Sequence, residues 1–246
     1  MKLTLAFVFF PLSTLGTLPL YAQDAPKVPG QIASTESVNF GPGGTIHVDH
    51  SYGDLNIEAW DRPEVEIAVV KSLLRFGDSK TQAEDQRRLD SIRVTAERKS
   101  PTELTILTTL ASRHGDWAPP LPRTTTAGVK AEYEIHVPRD SKLVIHHGTG
   151  SVSVRGVTGD IEAACGRGDI LLWLPPGSYS IDARTKLGIV SSELEGAKLS
   201  RYLVGQRFIR AAATPSHQLH LRMGFGGITI RGILPESEPS AVLSVP

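Results

Sequence analysis

Three histidine pairs, one acidic pair and one Arg-Gly-Asp tripeptide carry the reactive or ligand-binding side chains that stand out in this sequence. The histidines stand as His47/His50, His146/His147 and His217/His220. Imidazoles hold transition metals, but a strand reverses face at every residue. Partners adjacent or three apart therefore point to opposite sides and cannot both reach one ion without a bulge. Only pairing between separate turns of chain could bring two together, and the charged residues nearby do not cluster with ligand spacing. No metal and no cofactor is expected. The acidic pair is Asp160 and Glu162, with Arg155, Arg167, Asp169, Asp182 and Arg184 at similar places in neighbouring repeats. Carboxylates along the flank of a repeat stack are the arrangement a polysaccharide hydrolase or lyase would need. The plainer reading is a solvated, salt-bridged face. Arg167-Gly168-Asp169 matches a tripeptide that some adhesive proteins offer to receptors, but Gly168 is already explained as a corner and Asp169 as the solvent-side residue after it. The sequence contains no nucleophile elbow, zinc helix or phosphate loop, so the expectation is a protein that is not an enzyme.

A repeated phrase sets the framework that holds these side chains: glycine, any residue, apolar, any residue, apolar. It reads Gly150-Ser-Val152-Ser-Val154, Gly159-Asp-Ile161-Glu-Ala163, Gly168-Asp-Ile170-Leu-Leu172, Gly177-Ser-Tyr179-Ser-Ile181, Gly188-Ile-Val190-Ser-Ser192 and Gly226-Gly-Ile228-Thr-Ile230, with Gly205 and Phe208 as a blurred copy. One glycine series runs 150, 168, 188, 205, 226 and a second runs 159, 177, 196. A period near 19 residues signals a stacked array whose units cannot bury their own apolar faces. Alternation places one face of each strand inward, and glycine permits a tight corner. The fold class expected is all-β, a β-solenoid-like stack of short strands, with a two-sheet β-sandwich as the structural alternative. Val152, Val154, Ile161, Ile170, Leu172, Ile181, Val190, Ile228 and Ile230 would line the interior. Leu171 and Trp173 have the opposite parity and must project outward, where the first region of the chain is expected to cover them.

Residues 1–22 read as an export signal: Lys2, an apolar run to Leu20, and Ala22 at the end. Pro11, Thr14, Gly16 and Thr17 make the run a poor spanning helix, and no later stretch is apolar for long enough to cross a bilayer. Residues 23–35 read as a flexible leader. Residues 36–147 form an N-terminal β region with a surface helix at 79–90 and a proline-rich loop at 112–128; residues 148–233 form the repeats, and 234–246 a tail. With 26 basic and 26 acidic side chains, the chain has no field to gather nucleic acid or an anionic membrane. Cys165 is the only cysteine, so it has no internal disulfide partner and reads as a small buried thiol.

The phrases Gly53-Asp-Leu-Asn-Ile57-Glu-Ala-Trp60-Asp, Tyr133-Glu-Ile-His-Val-Pro138 and Gly150-Ser-Val-Ser-Val-Arg-Gly156-Val-Thr-Gly159-Asp-Ile161 resemble a bacterial family known as putative adhesins. The likeness spans about residues 36–232. It implies a β-repeat fold on an exported or membrane-attached protein, and no catalytic residues to transfer. The functional expectation is an exported scaffold or binding surface of the cell envelope, in the periplasm or outside the cell, whose partner is an envelope protein or polysaccharide. The alternatives are a polysaccharide-active enzyme and an envelope-stress or signalling accessory. The expected binding face comprises Asp160, Glu162, Arg167, Asp169, Trp173 and Arg184.

Overall fold

Strict alternation of apolar and polar residues makes strands with one dry face, and such strands are stable only when two sheets bury those faces together. The computed structural model describes residues 31–73, 82–110, 129–194, 198–202 and 204–233. The strands are β1 (Gln31–Asn39), β2 (Thr45–Tyr52), β3 (Asp54–Trp60), β4 (Glu64–Leu73), β5 (Ile92–Ser100), β6 (Glu103–Leu110), β7 (Val129–Pro138), β8 (Lys142–Thr149) and β9 (Val152–Arg155). They continue as β10 (Ile161–Arg167), β11 (Ile170–Leu174), β12 (Tyr179–Leu187), β13 (Val190–Ser192), β14 (Lys198–Tyr202), β15 (Gly205–Arg210), β16 (His217–Phe225) and β17 (Ile228–Gly232). Among the described residues one helix, α1 (Gln82–Asp90), precedes β5; residues 79–81 of the expected helix lie outside the described segments.

The protein is all-β with a two-sheet arrangement. One sheet has the order β1-β4-β7-β3-β9-β11-β17-β13, the other β14-β15-β12-β16-β10-β8-β2-β6-β5. Five turns of chain each contribute one strand to each sheet: β2 to β3, β8 to β9, β10 to β11, β16 to β17 and β12 to β13. Their strands pair in parallel and in register, so that Leu55, Val152, Ile170, Ile228 and Val190 form one interior row. Ile46, Leu143, Ile161, Leu219 and Ile181 form the facing row. All nine residues expected inside are buried, in one continuous core.

The corners explain the glycines. Gly53, Gly150, Gly168, Gly226 and Gly188 stand at the same place in the five turns, with φ between 118° and 138°. The N–H of Gly150 donates to the Arg167 carbonyl and that of Gly168 to the Phe225 carbonyl, so the corners are tied to one another. Close approach matters as much as dihedral angle: a Cβ on Gly168 would lie 2.0 Å from the carbonyl oxygen of Gly150.

Several expectations are corrected here. A solenoid climbs in sequence order, but the last turn, β16 to β17, is wedged between β10 to β11 and β12 to β13, so the two-sheet alternative describes the architecture. Parallel neighbours need only matching faces and matching corners, and any turn with both can enter the stack. The stretch from Gly205 to Phe208 is no copy of the repeat, since β15 runs antiparallel to β12. Residues 31–35 belong to strand β1, paired with β4, and not to a leader. Among the described residues, the N-terminal region does not lie over Trp173; it extends the same sheets sideways, β3 beside β9 and β2 beside β8. The export segment, the proline-rich loop and the tail lie outside the described residues.

Candidate functional site

Register turns residues of separate turns into rows, and two rows on the nine-stranded sheet make a groove. The outward positions Asp49, His146, Ala164, Arg222 and Arg184 align across β2, β8, β10, β16 and β12. Beside them run Ser51, Gly148, Gly166, Gly224 and Lys186. Three glycines in that second row leave a floor without side chains, and the backbone beneath is tightly layered: a Cβ on Gly224 would sit 2.3 Å from the Gly166 carbonyl oxygen. The result is a cavity of about 670 Å³, walled at one end by Leu107 of β6.

The ends of the groove differ in charge. At one, His146 Nδ1 meets Asp49 Oδ1 at 3.0 Å. At the other stand Arg184, Lys186 and Arg222. Arg222 is already committed: it donates to Asp182 Oδ2 at 2.7 Å and to the Asp182 carbonyl at 2.9 Å. Burial works to raise the Asp182 carboxyl, but hydrogen bonds from Arg207 and Arg222 outweigh it and hold the group below the usual carboxylate range. Arg184 and Lys186 are exposed and form no ion pair among the described residues.

The six residues expected to form a binding face are divided by the fold. Glu162 and Arg184 share the outer face of the nine-stranded sheet, and Arg184 lines the groove. Trp173 lies on the outer face of the other sheet, half-buried, with Arg155 5.1 Å from its ring centre. Its parity is as expected, since Ile170, Leu172 and Leu174 are all buried. Arg167 stands at the corner, 5.8 Å from the Phe225 ring. Asp160 and Asp169 each hold backbone: Asp160 Oδ1 accepts the Gln218 N–H at 2.8 Å, and Asp169 Oδ1 accepts the Gly227 N–H at 2.8 Å. The repeated Gly-Asp dipeptide thus bridges one turn to the next, and Arg167-Gly168-Asp169 is part of that corner.

Histidines are placed as alternation requires, with one exception that alternation itself creates. His47 faces outward, 3.3 Å from Glu103, while His50 faces inward. His146 faces outward and His147 inward, so the two inward rings meet across the β2/β8 pair with Nδ1 atoms 3.0 Å apart. Burial, reinforced by the His147 ring, pulls His50 down to about 3. His147 is also lowered by burial, partly offset by Asp54 and nearby carbonyls. On the eight-stranded sheet, Glu58, Glu134 and His136 place their donor atoms within 4.8 Å of one another, with Glu66 3.6 Å from His136 Nδ1 and Trp60 stacked on the ring. That set has the donors for a divalent cation, three carboxylates around a single imidazole. Its signal was present as Glu-Ile-His within β7, but only β3 and β4 at its sides complete it.

No protein-family model matches the chain, and no curated protein does. Among solved structures, the chain is similar to a putative cell adhesion protein from Clostridium sporogenes, at 12% identity over 82% of this chain and 100% of that one, with a TM-score of 0.44. It is also similar to a putative adhesin from Parabacteroides distasonis, at 12% identity over 82% of this chain and 66% of that one, with a TM-score of 0.27. A putative adhesin from Bacteroides fragilis shares 8% identity over 83% of this chain and 99% of that one, with a TM-score of 0.28. These names agree with the family that the glycine motifs resemble, and no residue role passes from those proteins to this chain.

Proposed function

We propose that this is an exported, non-enzymatic binding protein of the bacterial cell envelope, and that its groove on the nine-stranded sheet takes an acidic polysaccharide. The observation that carries this reading is the glycine-floored groove crossing five strands, with two uncommitted cations, Arg184 and Lys186, at one end. Five strands at about 4.8 Å spacing give a track close to 20 Å long, room for several units of an extended chain. A floor of backbone suits the flat faces of sugars, and carboxylates on the polymer supply partners for the cations. Asp160, Asp169 and Asp182 are engaged in backbone hydrogen bonds or ion pairs, which favours binding over acid–base chemistry there. The apolar run ending at Ala22 supports export, and among the described residues no helix is long and apolar enough to cross a membrane.

Calorimetric titration with polygalacturonate tests the proposal, with uncharged dextran as the control. The expected result is binding that weakens about tenfold or more when Arg184→Ala and Lys186→Ala are combined, and that falls with added salt. Equal affinity for both polymers, or an unchanged affinity in the double variant, would overturn it.

A further inference from the structure

The outer face of the eight-stranded sheet gathers donors that the groove, on the other sheet, does not use. Ile57, Ile67 and Ile135 point into the core, so Glu58, Glu66, Glu134 and His136 beside them point out. Strand register then brings them together. Glu58 of β3 stands opposite His136 of β7, and Glu66 of β4 stands opposite it from the other side. Glu134 precedes His136 by two residues on the same face. One donor atom from each of Glu58, Glu134 and His136 lies within 4.8 Å of the others.

The imidazole is held as a ligand needs to be. Trp60 stacks on it with ring centres 4.9 Å apart, and the indole is itself fixed, its Nε1–H donating to the Glu64 carbonyl at 2.8 Å. His136 Nε2 lies 3.7 Å from Glu134 Oε1, and Nδ1 lies 3.6 Å from Glu66 Oε1. Both separations exceed a hydrogen bond, and Nδ1 is buried with no hydrogen-bond partner among the described residues. A nitrogen and an oxygen that share one tetrahedral Zn(II), each about 2.1 Å from it, stand about 3.4 Å apart. The gap between Nε2 and Glu134 is therefore closer to that of two ligands on one ion than to that of a donor and its acceptor.

Charge points the same way. Three carboxylates face one imidazole, and among the described residues no Lys or Arg forms an ion pair with Glu58, Glu66 or Glu134. Arg155 stands opposite Glu58 in register, but its guanidinium lies over the Trp173 ring, 5.1 Å from the centre. We infer that Glu58, Glu134 and His136 Nε2 bind one Zn(II) ion, with Glu66 as the positioning residue. Two carboxylates neutralise the ion, and the imidazole supplies the nitrogen that separates such a site from the all-oxygen sites of Ca(II) and Mg(II). Glu66 accepts the Nδ1–H and so leaves Nε2 to the metal. Glu134 is exposed, which lets the ion reach its ligands directly from solvent. Three protein ligands leave a fourth position to water.

The test is a calorimetric titration of the purified full-length protein, stripped of metal by chelator, with Zn(II), together with anomalous diffraction from zinc-soaked crystals. The expected result is one tight equivalent that neither Ca(II) nor Mg(II) displaces, and an anomalous peak about 2.1 Å from His136 Nε2. His136→Asn should weaken binding roughly a hundredfold or more, and Glu58→Gln or Glu134→Gln about tenfold or more each. Glu66→Ala should weaken it about tenfold, and Glu66→Gln, which keeps an oxygen to accept the Nδ1–H, should restore most of that loss. Undiminished Zn(II) binding by a folded His136→Asn variant would overturn the assignment, as would equal affinity for Ca(II); a Glu66→Gln variant as weak as Glu66→Ala would overturn the positioning role. The anomalous signal is read on the unaltered protein, so an ion placed elsewhere overturns the assignment even if the variants do not fold.

Discussion

At the scale of single residues, the inward His50 has the clearest consequence in solution. Its pKa is lowered from 6.5 to about 3 because burial penalises the charged ring and His147 lies beside it. An unfolded chain takes up this proton near pH 6.5, the folded chain only near pH 3, so acid favours unfolding throughout that window. The stability from a neutral His50 is fully present above pH 6.5 and is lost by roughly 1.4 kcal/mol per pH unit below it. Urea denaturation across the window should show this acid limb, and His50→Leu should flatten it; an equally steep limb in the variant would show that other groups cause it. The pair was only half legible in the sequence. Alternation correctly sends His47 and His50 to opposite faces, and likewise His146 and His147. Which strands become neighbours is a tertiary fact, and that fact alone unites His50 with His147. The same limit explains the division of the expected binding face. Parity placed Trp173 and Glu162 outward, but it could not say that they belong to different sheets.

At the scale of elements, the five glycine corners are the device that lets separate turns approach. Gly168 has φ of 130° and would place a Cβ 2.0 Å from the Gly150 carbonyl oxygen, so both its dihedral angle and its neighbour exclude a side chain. Gly168→Ala should cost about 3 kcal/mol or more in denaturant unfolding. Gly41→Ala, where a Cβ would meet nothing within 4 Å, provides the comparison and should stay within about 1 kcal/mol. A neutral Gly168→Ala would remove the physical reason given for the motif. These corners were readable from the sequence because local geometry demands the residue. A second glycine column, Gly148, Gly166 and Gly224, was not read, since it precedes the apolar phrase and lies in the floor of the groove. Its signal was the spacing Gly-x-Gly shared by Gly148-Thr-Gly150, Gly166-Arg-Gly168 and Gly224-Phe-Gly226.

At the scale of the molecule, the account rests on rows assembled from turns that are not neighbours in sequence. The groove depends on β16 standing between β10 and β12, for only then does Arg222 join its row. Sequence order could not reveal this, because every turn carries the same corner and the same alternation. Sulfhydryl pairs introduced on the outer face of the eight-stranded sheet test the order directly, and oxidation followed by mass spectrometry reads them. Leu171 and Ser191 both pair with Thr229, one from each side. Leu171→Cys with Thr229→Cys, and Ser191→Cys with Thr229→Cys, should each form a disulfide, while Leu171→Cys with Ser191→Cys, about 10 Å apart across an intervening strand, should not. Efficient crosslinking of that last pair, with none to Thr229→Cys, would contradict the stacking order and the groove built on it.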